Sequence, residues 1–315
     1  MSTAFIFPGQ GSQTVGMGKA LADNFPEARA VFEEVDAALS QSLSRVIFEG
    51  PEAELTLTAN AQPALMAVSL AAVRVLEKEA GLDLSRDAKF VAGHSLGEYS
   101  ALCAAGALSL SDAARLLRLR GSAMQAAVPV GAGAMAALLG VELDAAREIA
   151  AAAASATGAV CEVANDNGGG QVVLSGARAG MEKAMEIAKE RGVKRAVLLP
   201  VSAPFHCALM QPAAEAMKDA LADAAIVRPR APVVANVTAA PASEPEEIRR
   251  LLVEQVTGAV RWRESVAFMA GAGVTKFVEC GAGKVLAGLL KRIVPGVSGI
   301  SVGAPGDLDA YRAFV

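Results

Sequence analysis

Short apolar segments alternate with longer helix-like segments along most of the chain. The runs "TAFIFPG", "KFVAG", "PVVAN" and "KFVEC" have the length and character of buried strands, and glycine or proline borders each of them. The pattern predicts helices over residues 60–80, 96–105, 244–256, 261–270 and 285–293, and another that starts at "SDAARLL". Strands that alternate with helices favour a parallel sheet covered on both faces. The sequence therefore predicts an α/β fold.

Residues 134–200 have a different order of elements. The pattern predicts a strand (134–140), a helix (144–154), two strands (159–165 and 171–176), a helix (178–191) and a strand (194–200). This β-α-β-β-α-β order is the ferredoxin-like arrangement. We expect a small ferredoxin-like domain at 131–200, bounded by "GAG" and Pro200, inserted into a large domain formed by 1–130 and 201–315.

Three helix starts can be predicted from residue type. Asn60 is a plausible cap with Pro63 in the first turn of its helix. Ser111 is a plausible cap of the helix that starts at "SDAARLL". His206 is predicted at the head of the helix that follows "VSAPF".

Composition narrows the class of protein. The 315 residues are 53% hydrophobic and 20% charged, as in a globular chain, and the net charge of −4 gives no reason to expect nucleic acid. No apolar run approaches the roughly 20 residues that cross a bilayer. The start "MSTAFIFPGQ" lacks the features of a secretory signal, and the four cysteines contain no C-x-x-C pair. We expect a cytoplasmic protein without membrane attachment.

The segment "GHSLG" at 93–97 fits the G-x-S-x-G pattern of a serine nucleophile. A predicted strand precedes it and an alanine-rich helix follows it, which is the context that the pattern requires. The start of that helix offers backbone N–H groups suited to an oxyanion. The alternative is a chance match in a chain with 30 glycines, and the context favours Ser95 as a nucleophile.

A serine nucleophile needs a base, and the chain has two histidines. His94 adjoins Ser95 on a tight turn, where neighbouring side chains diverge, so it is poorly placed to take the proton. His206 is distant in sequence, which is usual for the base of such a pair. No Asp or Glu between Ser95 and His206 stands in a convincing loop after a central strand, which disfavours a simple Ser-His-Asp hydrolase.

The second helix after the nucleophile carries three arginines: Arg115, Arg118 and Arg120. At about 100° per residue they spread over different faces, so one can point inward while the others stay in water. An arginine beside the nucleophile would bind a carboxylate through two parallel hydrogen bonds. Spacing alone favours a solvated face.

Six segments resemble, in order, those of the malonyl-CoA:acyl carrier protein transacylase family: "FPGQGSQTVGMG", "GHSLGEYSALCAAG", "RLRGSAMQ", "GQVVLSG", "PVSAPFHCALM" and "GAGKVLAGLLKRI". The resemblance covers nearly the whole chain. It implies an α/β-hydrolase-like large domain interrupted by a ferredoxin-like small one, the organisation that the predicted elements also give.

The resemblance also implies roles for individual residues. Ser95 would be the nucleophile and His206 the base, oriented by the main-chain carbonyl of Gln255 in place of an acid. The remaining implied residues are the oxyanion-hole N–H groups of Gln10 and Leu96, Arg120 for the substrate carboxylate, and Phe205, which would discriminate against methylmalonyl. Ala282 and Ala259 depart from the family, whose members often have proline there.

The implied reaction is a ping-pong transfer of malonyl from malonyl-CoA to the phosphopantetheine thiol of acyl carrier protein, through a malonyl-serine, in fatty acid biosynthesis. It needs no cofactor, because malonyl-CoA is a substrate, and we expect a monomer. Acyl carrier proteins are acidic, so a basic docking surface is expected on the enzyme. Two clusters are candidates: Lys189, Arg191, Lys194 and Arg195, or Lys284, Lys291 and Arg292. The alternative for both clusters is ordinary solvated charge.

Three other functions are compatible with parts of the sequence. A serine esterase or thioesterase would use the same Ser95–His206 pair with water as acceptor. A malonyl transferase of a malonate decarboxylase system would share almost every motif. A catalytically idle module that only binds carrier protein would not need to keep both Ser95 and His206.

Overall fold

The structure, a computed structural model, describes residues 2–315. The elements of the first part of the chain are β1 (Ser2–Phe7), α1 (Lys19–Asn24), α2 (Pro26–Leu39), α3 (Leu43–Glu49), α4 (Glu52–Thr56), α5 (Thr58–Ala80), α6 (Leu84–Asp87), β2 (Ala88–Gly93), α7 (Gly97–Ala104) and α8 (Leu110–Ala127). The middle part contains β3 (Gly133–Leu139), α9 (Leu143–Thr157), β4 (Cys161–Gly168), β5 (Gln171–Ala177), α10 (Arg178–Glu190) and β6 (Arg195–Leu198). After a 3-10 helix at Ala208–Met210, the last part contains α11 (Gln211–Asp223), β7 (Val233–Val234), β8 (Pro241–Ala242), α12 (Pro245–Thr257), α13 (Trp262–Gly271), β9 (Val274–Cys280), α14 (Val285–Ile293), β10 (Ser298–Val302) and α15 (Asp307–Phe314).

The larger sheet has the strand order β10-β9-β1-β2-β7-β8. Its strands pair in parallel except for β7 and β8, which are antiparallel. Phe7 at the end of β1 pairs with Gly93 at the end of β2, so the loops that follow these two strands leave the same edge side by side. The parallel-rich α/β fold predicted from the sequence is confirmed.

Both faces of this sheet are covered. On β1, Phe5 and Phe7 are buried in a core formed with helices such as α5 and α8. The intervening Ala4 and Ile6 are buried in a second core on the opposite face, with Trp262 among its members. Alternation of side chains along a strand explains why an unbroken apolar run serves both cores.

The smaller sheet is antiparallel, with the strand order β4-β5-β3-β6. The order β3-α9-β4-β5-α10-β6 agrees with the predicted succession of elements. Strand β4 also contacts the segment before α13, because Asp166 N–H donates to the carbonyl of Val260 (3.0 Å) and Val260 N–H donates to that of Ala164 (2.8 Å). The smaller sheet is thereby attached to the loop after α12.

Helix α5 is long and apolar enough to cross a membrane by length and composition, with a mean hydropathy of 1.3. However, 89% of its most apolar stretch is buried inside the protein. Asn60, Gln62 and Ser69 interrupt the apolar residues of this helix, so its sequence contains no continuous apolar run of this length. Packing against several helices, not a bilayer, covers this surface in the structure.

The predicted helix starts were wrong in three places. Helix α5 begins at Thr58, and Asn60 is buried within it, where its side chain donates to the carbonyl of Glu54 (2.9 Å). Ser109 caps α8 in place of Ser111, since its hydroxyl accepts the N–H of Asp112 (3.0 Å). His206 lies in a loop, because α11 begins only at Gln211.

All four cysteines are free and buried: Cys103, Cys161, Cys207 and Cys280. Burial raises the pKa of each thiol, to about 12 for Cys103 and about 11 for Cys161. These side chains are therefore protonated at neutral pH.

Candidate active site

The turn after β2 holds Ser95 in a conformation that few non-glycine residues adopt. Its φ of 53° lies in the left-handed region. A Cβ on Gly93 would clash with the backbone of Gly97, so the turn requires glycine there. Asn236, in the turn after β7, fixes the turn at Ser95, because its Oδ1 accepts the N–H of Ser95 (2.8 Å) and its Nδ2 donates to the carbonyl of Gly93 (2.7 Å). These contacts offset the backbone strain.

His206 lies 2.7 Å from the nucleophile candidate, measured from Nε2 to Ser95 Oγ. Its Nδ1 is 2.9 Å from the carbonyl oxygen of Gln255 and 3.1 Å from that of Gly258. Carbonyl oxygens only accept hydrogen bonds, so Nδ1 carries the proton and Nε2 is left to accept the Ser95 hydroxyl. His206 also has a positive φ, of 58°. The loop conformation and the two carbonyls aim the imidazole at Ser95.

The environment keeps the imidazole of His206 neutral. Burial, together with the nearby Arg120 cation, lowers its pKa to about 3, against the opposing effect of the hydrogen bonds to the Gln255 and Gly258 carbonyls. A neutral imidazole with a free Nε2 lone pair is the form that accepts a proton. The geometry and the charge state therefore both suit a general base.

Arg120 is only 1% exposed, so the solvated face favoured by spacing alone is wrong for this residue. Its Nη2 donates to Ser95 Oγ (3.2 Å) and to Gln255 Oε1 (2.9 Å), and its Nη1 donates to Gln62 Oε1 (2.7 Å). Within residues 2–315 no carboxylate forms an ion pair with it. A buried cation held by neutral amides is available to an anionic ligand.

Gln10 and Leu96 border the same cavity, in the two adjacent loops that follow β1 and β2. Gly97 lies so close to the carbonyl of Phe7 that a Cβ would clash with it, and a Cβ on Gly9 would lie 2.7 Å from the carbonyl oxygen of His94. In the described part of the chain, neither the Gln10 nor the Leu96 N–H has a hydrogen-bond acceptor. The close approach brings together two free donors suited to an oxyanion.

The cavity around these residues has a volume of about 820 Å³ and lies between the two sheets. Phe205, itself buried, is part of its wall. The other side chains that line it are mixed in polarity and come from both parts of the molecule; they include Met124, Met135, Asn165, Leu199 and Val201. The sequence-predicted residues Ser95, His206, Arg120, Gln10, Leu96 and Phe205 all border this one cavity.

Gln255 lies just behind the cavity and contacts three of these groups. Its backbone carbonyl accepts from His206, its side-chain Oε1 accepts from Arg120, and its Nε2 donates to the carbonyl of Ser95 (3.0 Å) and to Glu98 Oε2 (2.9 Å). The side-chain contacts were not anticipated from the sequence, which pointed only to the carbonyl.

Sequence reasoning also missed Asn236, Gln62, Gly258 and Glu98. Glu98 is 2% exposed in the first turn of α7, and burial raises its pKa to about 7, although Asn236 N–H, the Gln255 amide and the Arg120 charge oppose this shift. A charged residue inside the apolar stretch "LGEYSALCAAG" was the one available signal. The other three come from distant segments without a distinguishing pattern.

His94 faces away from the Ser95–His206 pair, as the sequence analysis expected. Its Nε2 is 2.8 Å from Asn167 Oδ1, and its ring lies 5.8 Å from that of Trp262. Burial lowers its pKa, so it too is neutral. Over the described residues, no group of three or more His, Cys, Asp or Glu side chains is placed to hold a metal ion.

Comparison with known proteins identifies relatives of this chain. Residues 4–302 match the family model described as acyl transferase domain. The chain is 47% identical over 306 residues to a malonyl CoA-acyl carrier protein transacylase of Bacillus subtilis, covering 97% of this chain and 95% of that protein. The crystal structure of an acyl-carrier-protein-S-malonyltransferase from Bartonella henselae is 57% identical, with a TM-score of 0.96 over 99% of this chain and 98% of that one.

A further similar structure contains two proteins. It is described as a type II PKS acyl-carrier protein in complex with its malonyl-transacylase, and the matched chain is 40% identical to this one. Its TM-score is 0.95, and the match covers 99% of each chain.

Proposed function

This chain belongs to the acyl transferase domain family, and we propose from that membership that it moves a malonyl group from malonyl-CoA to acyl carrier protein in fatty acid biosynthesis. It is an acyltransferase. The observation that carries the choice of acyl group is the buried Arg120, whose Nη2 lies 3.2 Å from Ser95 Oγ. A malonyl group has its free carboxylate close to the thioester carbonyl. When the thioester carbonyl lies at Ser95, the carboxylate therefore lies within reach of the Arg120 cation beside the nucleophile.

In the first half-reaction Ser95 attacks the malonyl thioester. His206 Nε2 takes the hydroxyl proton as the Oγ–C bond forms, and the N–H groups of Gln10 and Leu96 stabilise the oxyanion. The C–S bond then breaks, and the sulfur of coenzyme A leaves with the proton from His206. The product is a malonyl ester on Ser95 and free coenzyme A.

In the second half-reaction the phosphopantetheine thiol of the carrier protein is the acceptor. His206 takes the thiol proton as sulfur attacks the ester carbonyl, and the same two N–H groups stabilise the second oxyanion. Breaking the C–O bond returns the proton to Ser95 Oγ and releases malonyl-carrier protein. The residues and the two thiols handle every proton, so we propose that no cofactor takes part.

Acid selectivity follows from the unpaired charge of Arg120. With malonyl bound, carboxylate and guanidinium satisfy each other. With acetyl bound, the buried guanidinium has no anion, at a cost of at least the roughly 1.5–3 kcal/mol of a charged hydrogen bond. Phe205 occupies the wall of the same cavity beside His206, and we assign it the discrimination against a branched methylmalonyl group.

We assign the fold as an α/β-hydrolase-like large domain, residues 1–130 and 201–315, interrupted by a ferredoxin-like domain at 131–200. The strand–turn–helix at Ser95 on a parallel-rich sheet supports the first part. The second part is supported by the β-α-β-β-α-β order and by a separate apolar core whose buried members lie between Ala136 and Ala188.

The two basic clusters remain candidates for the docking surface of the acidic carrier protein. Lys284 is exposed at the end of a loop in which Gly283 approaches Ser12, next to the cavity-lining Gln13. In the other cluster, Arg195 is exposed on β6, which leads directly into the cavity-lining residues 199–201. Either surface would hold a carrier protein near the cavity.

We further propose a monomer that acts in the cytoplasm, without a membrane or nucleic acid as partner. Free, buried cysteines fit a reducing compartment, and an overall charge of −4 does not suit nucleic acid. Light scattering of the purified protein tests the oligomeric state.

Brief mixing with malonyl-CoA followed by intact-protein mass spectrometry tests the proposed function. The native protein is expected to gain a malonyl adduct and Ser95→Ala to gain none, with little adduct from acetyl-CoA in parallel. Adding phosphopantetheinylated carrier protein should then transfer the group to it. Equal labelling by malonyl-CoA and acetyl-CoA, or hydrolysis of the adduct without acylation of the carrier protein, would contradict the proposed function and favour a serine esterase.

A further inference from the structure

A buried carboxylate lies two hydrogen bonds away from the Arg120 guanidinium. Glu98 Oε2 accepts from Gln255 Nε2 (2.9 Å), and Gln255 Oε1 accepts from Arg120 Nη2 (2.9 Å). Glu98 and Arg120 are 2% and 1% exposed, and they form no direct ion pair in the part of the chain that the structure describes. The glutamine amide stands between the two charges.

The orientation of this amide is determined at its NH₂ end. Gln255 Nε2 donates both to Glu98 Oε2 and to the carbonyl oxygen of Ser95, and neither of these oxygens can serve as a donor when Glu98 is ionised. Oε1 must therefore face Arg120. Glu98 is in turn held by the N–H of Asn236 (2.9 Å), the residue that also fixes the turn at Ser95.

An amide acceptor suits Arg120 better than a carboxylate would. A carboxylate in direct contact would neutralise the guanidinium and compete with an anionic substrate. Gln62 and Gln255 satisfy one N–H group on each of its terminal nitrogens but leave the charge in place. Above its pKa of about 7, Glu98 supplies a compensating negative charge at a distance, which reduces the cost of burying the cation.

We propose that Glu98 and the side chain of Gln255 are positioning residues that aim the Arg120 guanidinium at the acyl carboxylate and so set the preference for acidic acyl groups. Glu98 acts through Gln255, and Gln255 acts through Arg120. The inference rests on the proposed malonyl transfer. The side-chain role of Gln255 is separate from that of its backbone carbonyl, which every substitution at this position retains.

The chain offers a matched control for the loss of a buried carboxylate. Glu279 is completely buried and accepts the N–H groups of Leu286 (3.1 Å) and Ala287 (2.8 Å) at the start of α14. It has no hydrogen bond to Arg120 or Gln255 among residues 2–315. Glu279→Gln therefore removes the same charge from a buried site without touching the proposed chain of contacts.

The experiment measures the rates of malonyl-enzyme and acetyl-enzyme formation for the native protein, Glu98→Gln, Gln255→Met and Glu279→Gln, with melting temperatures for all four. We expect the malonyl:acetyl rate ratio to fall about tenfold in Gln255→Met, the effect of losing one charged hydrogen bond. Glu98→Gln should shift the ratio in the same direction by a smaller factor. Glu279→Gln should lower the melting temperature and keep the native ratio.

A second set of variants in the Arg120→Ala background separates positioning from general loosening of the site. If both residues act through Arg120, Glu98→Gln and Gln255→Met change the ratio no further once Arg120 is gone. A native-like ratio in both single variants, or an additional change in the Arg120→Ala background, overturns the proposal. If Glu98→Gln does not fold, Gln255→Met alone decides. A native enzyme without malonyl preference would instead refute the proposed function.

Discussion

The Nδ1 atom of His206 lies 2.9 Å from the main-chain carbonyl oxygen of Gln255, so a peptide group holds the imidazole where many serine enzymes use a carboxylate. A carbonyl fixes the tautomer as an acid would, but it brings no negative charge. The imidazolium that forms during the reaction is therefore not stabilised by a neighbouring anion on that side. The nearby Arg120 cation adds to this effect and favours the neutral base.

This arrangement predicts how acylation depends on pH. Because the pKa of His206 is lowered from 6.5 to about 3, the base stays neutral well below pH 6, and protonation of His206 should not reduce the rate between pH 5 and 8. Glu98, with a pKa of about 7, is the group expected to titrate in that window. Single-turnover acylation rates of the native protein and Glu98→Gln across this range provide the test. An inflection near pH 6.5 that survives in Glu98→Gln would show that His206 titrates normally.

Removing the arginine should change the choice of substrate more than the chemistry. In Arg120→Ala we expect malonyl transfer to fall by about 10- to 100-fold, the loss of one or more charged hydrogen bonds, while transfer of acetyl rises relative to malonyl. Arg120→Lys is the control, because it keeps the charge but loses the paired donors. The measurement is kcat/KM for both thioesters, and an unchanged preference in Arg120→Ala would remove this residue from the substrate site.

Phe205 should exclude a methyl branch on the acyl chain. The native protein is expected to transfer methylmalonyl more slowly than malonyl, since the ring is buried in the cavity wall beside His206. In Phe205→Leu the difference between the two substrates should narrow. Competition between malonyl-CoA and methylmalonyl-CoA, read from the masses of the two acyl-enzymes, measures it. Equal rates in the native protein would contradict this role.

The close approach of Gly97 to the loop after β1 predicts a site-specific effect of one methyl group. Gly97→Ala would push against the carbonyls of Phe7 and Pro8 and displace Gln10, so acylation should fall by about 10²-fold or more if an oxyanion donor is lost. Gly288→Ala is the matched control within α14, where a Cβ meets no atom within 4 Å. It should raise stability by up to about 1 kcal/mol through helix propensity and leave the rate unchanged. Urea unfolding and acylation rates are measured for both variants. Equal acylation rates in Gly97→Ala and Gly288→Ala would contradict the prediction.

Charge reversal should locate the carrier-protein surface. Lys284→Glu with Lys291→Glu is compared with Lys189→Glu with Lys194→Glu, all four side chains being exposed. The pair that lies at the docking surface should slow transfer to carrier protein far more than it slows acylation by malonyl-CoA, and the native salt dependence should weaken. If neither pair changes the second half-reaction, the carrier protein docks elsewhere.

Local pattern predicted more of the fold than of the contacts that hold the site. The strands and most helices were predictable because their apolar periods are strong, and Val285–Ile293 was predicted to the residue. The sequence pattern did not predict helices α1–α4 and α15 or strand β10, since their segments are short or polar. Residue type and order pointed to Ser95 and His206, but the resemblance was needed for Arg120, because helical spacing does not say which face is buried. Glu98 and Asn236 act through contacts between segments more than 130 residues apart, which no local pattern encodes.

The state of the cysteines has a consequence for turnover with two thiol substrates. Each catalytic cycle releases coenzyme A as a free thiol and admits a second thiol on the carrier arm. Thiol–disulfide exchange needs an accessible sulfur that can ionise, and the four cysteine sulfurs are buried with raised pKa values. Even Cys207, next to the base, directs its sulfur at the carbonyl of Pro204. No cysteine of the folded enzyme is therefore available to form a mixed disulfide with coenzyme A or with the carrier protein's thiol. Oxidised coenzyme A should leave the enzyme active without a reductant in the buffer.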